Sequence, residues 1–118
     1  MIEDVLVKFP KLKLYLMHAG ENFYENTLRM MDGYPNLHAD LGVEMWLHPM
    51  TKDFAVKFLK SAKEYGFLDR VMFGSDQMVW PDAITNSIDF LNDLDFLTKE
   101  EKEMIFYKNA KKFLGIKE

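Results

Sequence analysis

The run Asp69-Arg70-Val71-Met72-Phe73-Gly74-Ser75-Asp76 decides the fold. Three consecutive apolar residues follow a charged pair and give way to Gly-Ser-Asp, the pattern of a short buried strand, Val71 to Ser75, that ends in a polar turn. Helical patterns flank it on both sides. Upstream, Thr51 can cap a helix in which Phe54, Phe58, Ala62 and Tyr65 share a face, and Gly66 closes it. Downstream, Pro81 and Asp82 open a helix with Ile84, Ile88 and Leu91 in line. A buried strand between two amphipathic helices is the repeating unit of a parallel sheet.

Two further units precede this one. Leu12 to Ala19 predicts a strand with Leu14, Leu16 and His18 on one face and Tyr15 and Met17 on the other. Glu21 to Asp32 then carries Tyr24, Leu28 and Met31 along a helical face, with Gly33 at a left-handed closing position. Leu37 to Val43 predicts a second strand, interrupted by Asp40 and Gly42. Before these, Ile2, Val5, Leu6 and Phe9 have the spacing of a helix tail stopped by Pro10. At the other end, Thr98 and Glu101 form a capping box for a last helix that ends near Leu114-Gly115. The order is α-β-α-β-α-β-α-α, an α/β chain read as one unit over residues 1–118.

Composition narrows the function. The chain has 118 residues, 48% of them hydrophobic, which provides one core and excludes disorder. Fifteen Lys and Arg against 19 Asp and Glu leave a net charge of −4, so neither nucleic acid nor a membrane is an expected partner. No apolar run approaches the ~18 residues of a membrane span. The Met1-Ile2-Glu3-Asp4 opening lacks the cationic start of a secretory signal, and a cytoplasmic location is expected. There is no cysteine, so any metal must be held by His, Asp or Glu. The nine Met and ten Phe fall mainly at helix-face and strand positions and are assigned to the core.

In parallel α/β folds the chemistry collects at the carboxyl ends of the strands, where loops vary over a fixed scaffold. Three polar residues sit there. His18 ends the first strand beside Met17, Ala19 and Gly20; an imidazole in that place suits proton transfer or metal ligation, or packs under a loop. Asp76 follows Gly-Ser at the end of the third strand, as a cation ligand or as a cap for the turn. Asp40 lies in the second strand, with a direct role or as an acceptor for a neighbouring turn. His38, near the start of that strand, and His48, in the loop before Pro49, are expected at the surface or in packing. Trp80, in the loop after Asp76, is placed to wall a substrate pocket or to cover the rim. Neither a glycine-rich phosphate loop nor a nucleophile elbow is present.

Taken in order, these segments resemble the C-terminal part of the amidohydrolase-related family of metal-dependent TIM-barrel hydrolases and decarboxylases. Phe9-Pro10-Lys11-Leu12-Lys13 leading to Met17-His18-Ala19-Gly20 is similar to the sixth barrel strand, Tyr34-Pro35-Asn36-Leu37-His38-Ala39-Asp40 to the seventh, and Asp69 to Asp76 to the eighth. Asn109-Ala110 followed by Phe113-Leu114 is similar to the family's ending. The resemblance implies that Asp76 is the strand-eight metal ligand, able to orient or deprotonate bound water, and that His18 is the strand-six histidine that moves protons near the substrate. It implies a divalent metal, zinc first and manganese second. The family's His-x-His pair and strand-five histidine have no counterpart here, and a catalytic zinc needs about three protein ligands.

Three strands also cannot close a ring of eight that takes about 250 residues. The resemblance therefore implies the last three βα units, strands six to eight plus a C-terminal helix, of a hydrolase or decarboxylase acting on a small organic substrate. Such a chain is expected to be inactive alone and to need the N-terminal barrel portion as partner. A second reading is a non-catalytic α/β module that buries its open strand edges and apolar inner face in a homo-oligomer. A receiver-like or flavodoxin-like domain is disfavoured, because no acidic pair or phosphate loop follows the first strand.

Overall fold

Three short strands lie side by side in the order β1-β2-β3, all parallel: β1 (Leu14–Leu16), β2 (Leu37–Asp40) and β3 (Val71–Met72). A computed structural model describes residues 1–117. Leu14 pairs with Leu37 and Leu16 with Ala39, and Ala39 and Asp40 pair in turn with Val71 and Met72. Because side chains alternate along a strand, Leu14, Leu16, Leu37, Ala39 and Val71 share the face that meets the core. Tyr15, His38, Asp40 and Met72 belong to the opposite face.

The crossovers are helices. Helix α1 (Ile2–Lys8) precedes β1, α2 (Tyr24–Gly33) joins β1 to β2, and α3 (Pro49–Tyr65) joins β2 to β3. Helix α4 (Asp82–Asp93) follows β3. The last run comprises α5 (Lys99–Glu103), a π-turn over Met104–Lys108 and α6 (Asn109–Leu114). Thr98 and Glu101 form the expected reciprocal capping box, at 3.1 and 2.8 Å. Asn109, buried in this run, donates from Nδ2 to the carbonyls of Leu68 and Val71, both at 2.7 Å, and ties the run to the start of β3. Phe113 sets its ring against Tyr15 and His38, at centroid distances of 5.8 and 4.8 Å, over the amino end of the second sheet face. Among the described residues no helix is long and apolar enough to cross a membrane.

Several boundaries and faces differ from the sequence expectation, each for a local reason. The first strand stops at Leu16 instead of Ala19, because the backbone turns left-handed from His18 to Gly20. The second stops at Asp40 instead of Val43, where Leu41 leaves the extended region. The third is only Val71–Met72, since the Phe73 amide bonds the Ile105 carbonyl at 2.8 Å instead of extending the ladder. Helix α2 begins at Tyr24 rather than Glu21, and Gly33 is its last residue without a positive φ. Helix α3 is capped by His48, whose Nδ1 accepts from the Met50 amide at 3.1 Å, and Thr51 occupies the third position of that cap.

The buried faces are rotated as well. In α3 they are Ala55, Phe58, Leu59 and Ala62, with Tyr65 exposed; in α4 they are Ala83, Ser87 and Leu91, while Ile84 and Ile88 stay exposed. On α1 only Leu6 is buried, and Ile2, Val5 and Phe9 are open. Apolar side chains on the first and fourth helices thus remain uncovered.

Candidate functional site

Parallel pairing places the carboxyl ends of all three strands at one end of the sheet. His18 lies two residues beyond β1, Asp40 is the last residue of β2, and Asp76 lies four residues beyond β3. The structure brings the three together. His18 Nε2 stands 3.2 Å from Asp76 Oδ2, with the side chains 24% and 28% exposed. The His18 main-chain amide donates to Asp40 Oδ1 at 3.0 Å. Glu21 joins from the same segment, its Oε1 3.5 Å from His18 Nδ1.

The backbone here is unusual in one respect. Among the described residues, the four non-glycine residues with positive φ are His18, Ala19, Glu21 and Asp76, all of them in this site. A left-handed conformation costs an L-residue about 1–2 kcal/mol, so something must hold each in place. Ala19 is fully buried, and Asp40 fixes the His18 amide. Gly42 (φ +23), in the short turn Gly42–Met45 after β2, has no side chain because the His18 ring occupies the space: a Cβ would lie 2.3 Å from His18 Cδ2 and 3.0 Å from Nε2. On the other side, Trp46 Nε1 donates to the Ser75 carbonyl at 2.5 Å, bracing the residue before Asp76.

Two carboxyls in the site are held toward their neutral form. Burial pushes the Asp40 carboxyl up from the ordinary range, opposed by the hydrogen bond from the His18 amide. Glu44, fully buried in the Gly42–Met45 turn, is pushed up to about 8 by burial first and by the negative charge of Glu21 second. Neither Glu44 oxygen has a hydrogen-bond partner. His18 Nε2 is also buried without an aligned partner, because its approach to Asp76 is off the hydrogen-bond direction. The imidazole therefore keeps unspent hydrogen-bonding capacity beside a carboxylate.

The other candidates lie elsewhere. His38 donates from Nδ1 to the Asn36 carbonyl, 3.1 Å away, at the amino end of β2, and His48 caps α3. Trp80 packs its ring against Trp46 at 5.4 Å and remains 42% exposed, near the Asp76 loop. Three residues of the site escaped the sequence reading: Glu21, Glu44 and Trp46. Glu44 carried a signal, as a lone acid in the otherwise apolar stretch Leu41-Gly42-Val43-Glu44-Met45-Trp46.

As a metal cage the arrangement does not suffice. Among the described residues no three His, Asp or Glu side chains converge to hold an ion, and of the implied ligands the chain offers Asp76 alone. What the geometry offers is a carboxylate and an imidazole in contact, one able to accept a proton and the other to pass it on.

Comparison with known proteins gives a family. A family model described as amidohydrolase matches residues 1–116. No curated protein sequence matches the chain. Among solved structures, an uncharacterized TIM-barrel protein from Bordetella bronchiseptica is similar over 97% of this chain, with 23% identity and a TM-score of 0.77. A protein described as amidohydrolase II is similar over 95%, with 18% identity and a TM-score of 0.55. In each case the chain spans 38% of the length of the matched structure. At these identities the likeness establishes the fold, three parallel βα units from a TIM barrel.

Proposed function

Because the chain belongs to the amidohydrolase family, we propose that it supplies the proton-handling part of the active site of a metal-dependent hydrolase acting on a small organic substrate. The observation that carries this reading is the 3.2 Å approach of His18 Nε2 to Asp76 Oδ2 at the carboxyl end of the sheet. Asp76 orients a water molecule and accepts its proton as the water attacks an electrophilic carbon; His18 delivers a proton to the leaving group. Asp40 holds the His18 segment through its amide, and Trp46 holds the Asp76 segment through Ser75. A divalent metal in such a site needs ligands beyond those of this chain, so the proton work is what its own residues perform.

The rest of the barrel is the partner this reading requires. The matched barrels extend well beyond the part covered here, and Ile2, Val5, Phe9, Ile84 and Ile88 are the apolar positions that neighbouring barrel units would cover. The test is turnover of a panel of small amides, esters and lactones by the chain combined with the five preceding strands of a barrel as a second polypeptide. Release of carbon dioxide from carboxylate substrates is scored in parallel, to separate hydrolysis from decarboxylation. Hydrolysis that falls about 10²–10⁴-fold in His18→Asn and in Asp76→Asn supports the assignment. Hydrolysis unchanged in both variants, or carbon dioxide release in place of hydrolysis, overturns it.

A further inference from the structure

We propose that Glu44 is a positioning residue for the His18–Asp76 pair: its uncharged carboxyl group is the floor on which the left-handed segment His18–Glu21 rests, and charging it releases that segment. The proposal rests on the reading of His18 and Asp76 as the reacting pair. Glu44 itself contacts no substrate.

Three observations meet at this residue. The first is its seat. Glu44 lies in the turn whose Gly42 backbone touches the His18 ring, and the turn packs directly on the segment that carries His18. Glu21 acts on its carboxyl group through its negative charge, and the Glu21 amide approaches that group without completing a hydrogen bond, which places the side chain against the far end of the same segment. The second is its isolation. The residue is fully buried and both side-chain oxygens lack a hydrogen-bond partner, an arrangement that is tolerable for a neutral acid and severely unfavourable for an anion. The third is the segment above. Its left-handed residues relax unless packing holds them, so it is the part of the site that gives way first when its support changes.

The surrounding charges make the effect one-directional. Those acting on the Glu44 carboxyl, Glu21 from the His18 segment and Asp40 from β2, are both acids. Helices α3 and α4 pack against the same turn, and their acids and lysines lie on exposed faces apart from the half-buried Lys52. On its main chain, Glu44 accepts from the neutral Thr51 hydroxyl at 3.1 Å. Ionisation near pH 8 therefore adds a negative charge with no cation beside it, and the movable neighbour is the segment bearing Glu21. As that segment lifts, the His18 amide leaves Asp40 and the imidazole leaves Asp76.

The test is amide hydrogen exchange of the full chain at pH 7 and pH 9, corrected for intrinsic rates, in the wild type and in Glu44→Gln, which keeps the shape of the neutral acid. The proposal expects protection at the His18 amide to fall about tenfold or more in the wild type and less than about twofold in the variant, with Leu59 in α3 unchanged in both. Equal falls in the two proteins, no fall in the wild type, or a fall shared by Leu59 overturns it. Absence of a fall in the wild type overturns the proposal even where the variant folds poorly. Because exchange reads only the position of the segment, its failure leaves the hydrolase reading standing, and loss of that reading leaves the exchange result intact.

Discussion

Replacing Gly42 by alanine is the sharpest perturbation of the site. A Cβ built there lies 2.3 Å from His18 Cδ2, 3.0 Å from Nε2 and 3.1 Å from Asp40 Oδ1. Carbon atoms rest about 3.5–4.0 Å apart, so the ring must retreat by about 1 Å or more. That motion breaks the 3.2 Å approach to Asp76, since the His18 main chain is anchored to Asp40 and the ring itself must move. Gly42 also sits at φ +23, where an L-residue is strained. Overpacking and strain together predict a loss of about 1–3 kcal/mol in urea unfolding. A misplacement of about 1 Å predicts a fall of about 10²-fold in turnover by the completed barrel.

Gly33→Ala is the matched control. Gly33 ends a helix, lacks a positive φ and has nothing within 4 Å of the added methyl. There alanine reduces the entropy of the unfolded chain and predicts a gain of about 0.4–1 kcal/mol. Opposite signs at the two glycines support a packed His18. A Gly42→Ala protein as stable and as active as the wild type refutes it.

Other consequences are as direct. Asn109→Ala strips the donor from two buried carbonyls, Leu68 and Val71, and predicts a loss of about 2–4 kcal/mol by chemical denaturation; an unchanged midpoint contradicts the role given to that side chain. Glu44 is raised to about 8 in the folded chain from an ordinary 4.5, so folding takes up a proton between those values. Its contribution is therefore most favourable below about pH 4.5 and is lost as pH rises through the window, at up to about 1.4 kcal/mol per pH unit; in Glu44→Gln this component of the slope vanishes, as unfolding curves at pH 5, 6, 7 and 8 would record. Trp46→Phe removes the bond to the Ser75 carbonyl, and faster amide exchange from Ser75 to Gln77 is expected with the rest of the chain unaffected. Exposed Ile84, Ile88, Val5 and Phe9 predict that the chain alone self-associates as concentration rises, measurable by sedimentation; a monomer at all concentrations contradicts an unfilled interface.

Much of the architecture was legible because burial and periodicity coincide. Val71 and Met72 are apolar and buried, and Thr98 with Glu101 names its own helix start. Helix faces were less legible, since an open partial sheet does not bury every apolar stripe. Ile84 and Ile88 follow the period of an inward face, yet Ala83 and Ser87 are the residues that are buried, in the helix that packs against the Gly42–Met45 turn. The site was half visible. His18 and Asp76 lie in the segments just beyond β1 and β3, and their proximity follows from parallel pairing. The left-handed run from His18 to Glu21 was hidden, because only Gly20 in it advertises positive φ. Glu44 and Trp46 were passed over because they occupy an irregular stretch with no period to follow. Their roles come from tertiary contacts: Trp46 reaches Ser75, 29 positions away in sequence.

The most direct test of the account is the purified 118-residue chain itself, equilibrated with zinc, dialysed, analysed for bound metal and assayed for hydrolysis. His18 and Asp76 touch, but no third ligand joins them among the described residues, so the chain should retain no stoichiometric zinc and show no turnover. One tightly held zinc per chain together with hydrolysis would contradict the claim that these residues supply only the proton-handling side of the site.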